Sequence, residues 1–207
     1  MKNKTGLLMV LSGPSGSGKG TVVRRLLDGQ SDTMLSVSAT TRSPRPGEQD
    51  GVHYFFFTRE RFEQMIAENA FLEYAEYNGN YYGTPKAPVE AWLAQGKNVL
   101  LEIEVQGTEQ VMHTGVPLVS LFVTVPSMAE LERRLRGRGT EDDACVRRRL
   151  QTAVGELKKA YLYDYVIMND EVERAVARIR TVMDAERMRY ARMENSITEV
   201  LKDAETY

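Results

Sequence analysis

Residues 13–21 read GPSGSGKGT and fit G-x-x-x-x-G-K, the pattern of a loop that wraps around the phosphates of a nucleotide. Glycines allow successive backbone N–H groups to turn toward phosphate oxygens, and Lys19 adds a mobile positive charge for the terminal phosphates. The general motif has Ser or Thr after the lysine, whereas this chain has Gly20 and then Thr21. The pattern therefore predicts a nucleoside triphosphate site whose metal ion is held largely by water and the nucleotide.

A second group of residues suits another anion. Arg42 and Arg45 are three residues apart in a loop stiffened by Pro44 and Pro46, so their guanidinium groups can converge on one phosphate. Tyr54 offers a hydroxyl a few residues later. The spacing predicts a second phosphate site, separate from the glycine-rich loop.

Arginine is unevenly distributed along the chain. Of the 27 basic residues, 19 are arginines, and seven of these lie between positions 133 and 149. The formal net charge of −2 argues against a general nucleic-acid binder. The cluster by itself fits either small anionic ligands held at a few points or a solvated helix face whose arginines pair with neighbouring acids.

The composition narrows the class of protein further. A chain of 207 residues, 42% of them hydrophobic, suits one folded unit with a sizeable core. No stretch approaches the ~18 consecutive apolar residues of a membrane span, and the apolar run near the start leads directly into the glycine-rich loop. Because the single cysteine, Cys145, cannot form an internal disulfide, we expect a reducing, cytoplasmic compartment.

The elements that must position these residues follow from hydrophobic periodicity. Strands alternate with helices, which indicates an α/β fold with a mostly parallel sheet. The buried strands are expected at residues 7–11, 34–37, 98–104, 118–125 and 165–168. Asn78-Gly79 between two aromatic runs predicts a β-hairpin, and residues 52–58 favour a further strand.

One long amphipathic helix is expected at residues 171–201. The chain is thus predicted to be a single domain with an inserted lobe and a lid. Its core is expected at about 5–36, 87–133 and 150–207, the lobe at about 37–86 and the lid at about 134–149.

Several motifs occur together in this order: TTRSPRPGEQDGVHYFF, GNYYGT, VQG and RGRGT. With the glycine-rich loop they closely resemble the guanylate kinase family, from about Gly6 to Arg187. The resemblance implies a P-loop kinase core with a parallel sheet flanked by helices, an inserted mixed or antiparallel GMP-binding lobe and a short helical lid. It also implies the reaction ATP + GMP = ADP + GDP in purine metabolism, with Mg²⁺ accompanying ATP. Nucleotides, and neither nucleic acid nor membrane, are the implied partners, while a monomer and a homo-oligomer both stay open.

The resemblance also assigns roles to individual residues. Those implied to bind ATP are Gly13, Pro14, Ser15, Gly16, Ser17, Gly18, Lys19, Gly20, Thr21 and Asn169. Those implied to bind GMP are Ser38, Arg42, Arg45, Tyr54, Glu73, Tyr82, Thr84 and Glu104. Those implied to act in catalysis are Lys19, Arg42, Arg138 and Arg149, with Arg134 a weaker candidate.

The chemistry of guanine supports the assignment of Glu73. Guanine presents N1–H and N2–H₂ donors on one edge, and one carboxylate accepts from both. Adenine lacks the 2-amino group and has a lone pair at N1, so the same carboxylate would lose its partners. Without the surrounding motif, Glu73 would be expected to be an exposed strand residue.

The segment LEIEVQG departs from the LDIDVQG that is usual in the family, because each carboxylate is one methylene longer. By analogy Glu102 is a possible metal or phosphate neighbour and Glu104 reaches toward GMP. The sequence favours a GMP contact and a structural position equally for Glu104.

Two other functions are compatible with parts of the pattern. A guanylate-kinase-like domain can be a non-catalytic protein-binding module, but such a module would be expected to lose Lys19 or the lid arginines. A kinase with another acceptor is disfavoured by the combination of Arg42, Arg45 and Tyr54 with Glu73. The tail after Arg187 either supports a dimer or caps the core.

Overall fold

The computed structural model describes residues 5–137 and 142–204, and these form nine strands and eight α-helices. The strands are β1 (Leu8–Ser12), β2 (Thr33–Leu35), β3 (Ala39–Thr40), β4 (Phe55–Phe56), β5 (Phe71–Tyr77), β6 (Asn80–Pro85), β7 (Asn98–Glu102), β8 (Val119–Thr124) and β9 (Tyr165–Met168). The helices are α1 (Lys19–Leu27), α2 (Arg59–Ala67), α3 (Lys86–Ala94), α4 (Val105–His113), α5 (Met128–Arg136), α6 (Asp143–Leu157), α7 (Val172–Arg187) and α8 (Tyr190–Ala204). A 3₁₀ turn at Ala160–Leu162 precedes β9.

Five parallel strands form the main sheet in the order β2-β7-β1-β8-β9. Every residue of β1 and of β8 is buried, because helices cover both faces of the sheet. One face packs Leu11 against Val22 of α1 and Ile179 of α7. The other face packs Val10 against Val89 of α3 and neighbouring side chains. The predicted α/β fold with a parallel sheet is confirmed.

Four strands form a second, mixed sheet in the order β4-β3-β6-β5. Strand β6 pairs antiparallel with β3 and β5, whereas β3 and β4 are parallel. Asn78 and Gly79 join β5 to β6 with φ angles of 49° and 75°, the positive values that a tight hairpin turn requires at both central residues. Phe62 of α2 stacks on Phe71, 4.3 Å between ring centroids, and closes the small core of this lobe.

The predicted single helix at residues 171–201 is wrong. The chain leaves helical conformation after Arg187, and a separate helix, α8, begins at Tyr190. Glu186 is buried at the end of α7, where it accepts a hydrogen bond from the Tyr165 hydroxyl (2.7 Å) and pairs with Arg189 (3.1 Å). No glycine or proline lies at this break, and the amphipathic pattern continues across it, so the sequence pattern does not indicate where α7 ends.

Two smaller differences concern the segments around the lobe. The expected strand at residues 52–58 is reduced to β4, because Asp50 accepts from the Phe56 N–H and His53 accepts from the Gln49 N–H in a compact loop. Helix α4 was not predicted, since its segment contains Gly107 and valines that favour other conformations. None of the helices in the described ranges is long and apolar enough to cross a membrane.

Candidate active site

The glycine-rich loop connects β1 to α1, as its pattern predicts. Gly13, Gly16 and Gly18 adopt φ angles of 140°, 91° and 91°, which other residues rarely adopt. A Cβ on Gly13 would lie 2.0 Å from the Val123 carbonyl oxygen, so the close approach to β8 also needs a glycine. Lys19 Nζ folds back over the loop and donates to the carbonyl oxygens of Gly13 (2.5 Å) and Pro14 (3.2 Å). Gly20 and Thr21 follow in the first turn of α1 and are exposed to solvent.

Asn169 and Arg134 hold the loop at the carbonyl of Ser17. Asn169 Nδ2 donates to Ser17 O at 2.7 Å and Arg134 Nη1 donates to it at 3.2 Å. Arg134 also donates to Asn169 O (2.9 Å) and to Glu130 (2.7 Å), so it ties α5 to the end of β9. Asn169 is only 1% exposed, and its Oδ1 is buried with no hydrogen-bond partner among the described residues. A buried acceptor without a partner is costly, so a donor that reached this oxygen would stabilise it.

Helix α6 reaches the loop at Ser15. Arg149 Nη2 donates to Ser15 Oγ, and Glu156, seven residues later on the same helix, accepts from the Ser15 backbone. Burial, and secondarily the charge of Glu104, raise the pKa of Glu156, while Lys19 opposes them. Glu156 was missed by the sequence analysis, although the two-turn spacing from Arg149 was a usable signal. Arg138, the other predicted lid residue, lies outside the described residues.

Glu102 ends β7 beside the loop. A Cβ on Gly20 would lie 3.5 Å from Glu102 Oε1, which places the carboxylate near the start of α1. Burial raises the pKa of Glu102, and the positive charge of Lys19 partly offsets that rise. Glu104 is exposed and occupies the N-cap position of α4. Among residues 5–137 and 142–204, no three His, Cys, Asp or Glu side chains are arranged to hold a metal ion.

Arg42 lies in the lobe and is held by Glu48. Its Nη1 and Nη2 donate to the two Glu48 oxygens at 2.8 and 2.9 Å, and Nη1 also donates to Ser43 O at 2.8 Å. These bonds occupy three of the five guanidinium N–H groups and leave Nε–H and one Nη2–H on the same side. The hydrogen bonds from Arg42 lower the pKa of Glu48 to about 2. Glu48 also accepts from the Arg45 N–H (2.7 Å), so one carboxylate organises both arginines of the loop.

Two tyrosines surround this guanidinium. The Tyr54 ring centroid lies 5.2 Å from Arg42 Cζ and 6.3 Å from the ring of Tyr82. Glu48 first, and also the Tyr82 hydroxyl, raise the pKa of Arg42. The Arg45 side chain is exposed. The lobe therefore brings Arg42, Tyr54 and Tyr82 together, whereas Arg45 is tied to them only through its backbone bond to Glu48. Glu48 is an additional member that sequence reasoning missed although it stands three positions after Arg45.

Glu73 lies in β5 opposite Thr84 in β6. Thr84 Oγ1 donates to Glu73 Oε1 at 2.7 Å, and Glu73 is 8% exposed, which differs from the exposed strand position expected without the motif. Burial raises the pKa of Glu73, and the hydrogen bonds from Thr84 limit that rise. Ser38 precedes β3 and is half-buried, and its carbonyl accepts from the Phe55 N–H at 2.8 Å. The lobe thus presents a buried carboxylate in the same sheet as the arginine loop.

Comparison with known proteins is consistent with this arrangement. The family model described as guanylate kinase matches residues 5–186. A guanylate kinase of Clostridium perfringens (strain SM101) is 47% identical over 202 residues, covering 98% of this chain and 94% of the relative. A guanylate kinase of Desulfitobacterium hafniense (strain Y51) is 50% identical over 192 residues, covering 93% and 96%. The crystal structure of guanylate kinase from Anaplasma phagocytophilum superposes with a TM-score of 0.72 at 35% identity, covering 91% of this chain and 90% of that one.

Proposed function

This chain belongs to the guanylate kinase family and catalyses the ATP-dependent phosphorylation of GMP to GDP, and we propose that one of its two anion sites binds ATP and the other binds GMP. In this proposal the core at about 5–36, 87–133 and 150–207 binds ATP, the lobe at about 37–86 binds GMP, and the lid at about 134–149 closes over both. The observation that carries the proposal is the buried carboxylate of Glu73 in the same sheet as β3, the strand that leads into the loop of Arg42, since a site for a phosphate alone has no use for it.

ATP binds through the glycine-rich loop in this proposal. The backbone N–H groups of residues 13–21 wrap its phosphates, and Lys19 leaves the carbonyls of Gly13 and Pro14 to meet them. The buried, unpaired Oδ1 of Asn169 is an acceptor for a donor on the nucleotide, such as the exocyclic amine of adenine. The movement of Lys19 from a carbonyl to a phosphate is favourable, because a hydrogen bond from an ammonium group to a fully charged oxygen is stronger than one to a neutral carbonyl.

The GMP phosphate binds at the arginine loop. Arg42 offers the edge formed by Nε–H and the second Nη2–H, which matches two phosphate oxygens. Arg45, Tyr54 and Tyr82 complete the site with one further cation and two hydroxyls. Glu48 does not occupy this edge, since it accepts from the adjacent edge formed by Nη1 and Nη2.

The guanine base is read by Glu73, with Thr84 and Ser38 beside it. N1–H and N2–H₂ supply the donors that a buried carboxylate needs, and adenine would leave that carboxylate unpaired. Because Thr84 already donates to Oε1, one lone pair of that oxygen and both of Oε2 are left for the base. Glu104 is exposed at the start of α4 and is proposed to contact GMP at the rim of the site.

Magnesium is proposed to arrive with ATP. Mg²⁺ prefers oxygen ligands and keeps several waters, so triphosphate oxygens plus one carboxylate suffice to hold it. Glu102 fits this role because its half-buried carboxylate lies beside Gly20, where no side chain intervenes. When bound, the ion supplies positive charge that neutralises the transferring phosphoryl group.

Phosphoryl transfer then requires positioning and charge neutralisation, with no general base. The acceptor is a phosphate with a second pKa near 6, so it is already mostly dianionic at pH 7. The obstacle is repulsion between two anions brought into line, and Lys19, Arg42, Arg138 and Arg149 are proposed to overcome it. Arg149 is supported by its contact with Ser15 in the loop.

A coupled assay with GMP, AMP, dGMP and UMP as acceptors tests the proposed site. We expect turnover with GMP to exceed that with AMP and UMP by orders of magnitude, with dGMP intermediate or close to GMP. Equal use of AMP and GMP would contradict the guanine-reading role of Glu73. The substrates, together with a single cysteine, support the cytoplasm as the place of action.

A further inference from the structure

Helix α4 of the core lies directly against the strand that carries Glu73. Gly107, in the first turns of α4, faces the carboxylate so closely that a Cβ at this position would lie 2.8 Å from Glu73 Oε2 and 3.3 Å from Glu73 Cδ. Real Cβ atoms do not approach an oxygen to 2.8 Å, so any side chain here would displace the carboxylate. The backbone of α4 is therefore one wall of the position that Glu73 occupies.

Gln110 fastens the same helix to the next residue of the strand. One turn after Gly107, its Nε2 donates to Tyr74 O at 2.9 Å and its Oε1 accepts from Tyr74 N at 3.1 Å. Strand β5 is an edge of the lobe sheet, so its outward backbone groups have no neighbouring strand. The amide of Gln110 takes the place of that strand and sets the distance between α4 and β5.

From these contacts we propose that Gly107 and Gln110 are positioning residues for guanine selection, Gly107 by leaving room for the Glu73 carboxylate and Gln110 by holding the backbone beside it. This inference rests on the proposed role of Glu73. It explains a glycine inside a helix, where alanine is intrinsically more favourable.

The placement also links the two halves of the site. Helix α4 starts three residues after Glu102, which lies beside Lys19, and reaches Glu73 and Tyr74 within its first six residues. A single short helix thus relates the phosphate loop of the core to the base-reading strand of the lobe. Loss of contact at Gly107 or Gln110 changes that relation without touching either nucleotide.

The test is the pair Gly107→Ala and Gly155→Ala, assayed in the full-length enzyme. Gly155 is the matched control, because it also lies within a helix and a Cβ there would meet no atom within 4 Å. The flexible end of Glu73 can move, so we expect Gly107→Ala to fold, with circular dichroism like that of the control. We expect it to raise the KM for GMP about 10-fold or more, to leave the KM for ATP unchanged and to reduce the preference for GMP over AMP. Gly155→Ala should leave all three values unchanged.

A second variant covers the strand contact. Gln110→Ala removes only two half-exposed hydrogen bonds, so it should fold, and we expect a roughly 3- to 10-fold rise in the KM for GMP with kcat less affected. In a Glu73→Gln background, Gly107→Ala should add little to the KM for GMP, because the two residues act through the same contact.

The outcomes separate this inference from the assignment of Glu73 itself. If Glu73→Gln impairs GMP use while Gly107→Ala matches Gly155→Ala, the inference is wrong and the guanine assignment stands. If Glu73→Gln leaves nucleotide preference unchanged, both are wrong. If Gly107→Ala does not fold, a normal KM for GMP in folded Gln110→Ala overturns the inference.

Discussion

Thr84 Oγ1 donates a 2.7 Å hydrogen bond to Glu73 Oε1 across the β5–β6 pair, in a position where Glu73 is only 8% exposed. A threonine hydroxyl on one oxygen holds the carboxylate in one orientation and leaves its remaining lone pairs directed elsewhere. Because burial disfavours the ionised form, this carboxylate is stabilised most by a ligand that donates hydrogen bonds to it. The pair is thus suited to select a base by its hydrogen-bonding edge.

Glu73→Gln should raise the KM for GMP while the KM for ATP stays nearly unchanged. The amide has the same size but turns one acceptor into a donor that faces a guanine donor. The loss of one charge-assisted pair corresponds to about 1.5–3 kcal/mol, or roughly 10- to 150-fold in kcat/KM for GMP. Steady-state kinetics with GMP and AMP measure both the loss and the expected fall in discrimination. Glu76→Gln, exposed in the same strand, is the control and should behave like wild type.

The same variant should also change how the free energy of unfolding depends on pH. The folded pKa of Glu73 is raised above its ordinary value of 4.5, so between these two values the folded chain binds more protons than the unfolded chain. The contribution of Glu73 to stability therefore falls as pH rises through this window. The free energy of unfolding of Glu73→Gln, relative to wild type, should increase from pH 4 to pH 7 in urea titrations. A difference that is flat over this range would contradict the burial of an ionisable Glu73.

Lys19→Ala should abolish turnover and leave the fold and GMP binding largely intact. The lysine amine donates hydrogen bonds to two loop carbonyls, and its charge is expected to act on the phosphates of ATP. Charge-assisted contacts contribute about 1.5–3 kcal/mol each, and more where water is excluded. Calorimetric titration with GMP, alongside kcat, separates the two effects. Near-normal kcat in Lys19→Ala would show that this loop does not bind the reacting phosphates. Lys158 is exposed, so Lys158→Ala is the control and should leave kcat unchanged.

Arg149→Ala should lower kcat far more than it raises the KM for GMP. Contacts that strengthen in the transition state appear in kcat, whereas contacts made equally in the ground state appear in KM. Arg148 is its exposed neighbour on α6, so Arg148→Ala is a matched control. The same split is expected for Arg138→Ala. A loss confined to the KM for GMP would mean that these arginines serve the other nucleotide.

Glu48→Gln should raise the KM for GMP by roughly 3- to 10-fold with little change in kcat, because Arg42 loses the partner that orients it. The pKa of Glu48 is lowered to about 2 from its ordinary value of 4.5. Its contribution to stability is therefore complete above about pH 4.5 and is lost as pH falls toward 2. Thermal melts of wild type and Glu48→Gln should differ by a constant amount above pH 5 and converge below it. An unchanged KM for GMP would remove Glu48 from the phosphate site.

Local patterns were sufficient to predict several parts of this protein. The glycine-rich loop at residues 13–21 and the hairpin turn at Asn78-Gly79 can each be predicted from a few adjacent residues, because the required backbone angles depend on glycine at particular positions. The alternation of buried strands and helices likewise predicted the parallel sheet, since each element shows its own periodicity. The motif order then pointed to the family.

Other features depend on contacts between distant segments. The hydrogen bond from Asn169 to Ser17 joins residues 152 positions apart, and the close approach of Gly107 to Glu73 joins a core helix to a lobe strand. The hydrogen bond from Tyr165 to the buried Glu186 near the end of α7 likewise joins residues 21 positions apart. Periodicity reports which face of an element is apolar, but it does not report what that face meets. The sequence by itself therefore determined the alternation of strands and helices in the core and the chemical types at the site. Only the packing of the tertiary structure decided that Glu73 is buried, that Glu48 holds Arg42 and that α4 stands behind the base-reading carboxylate.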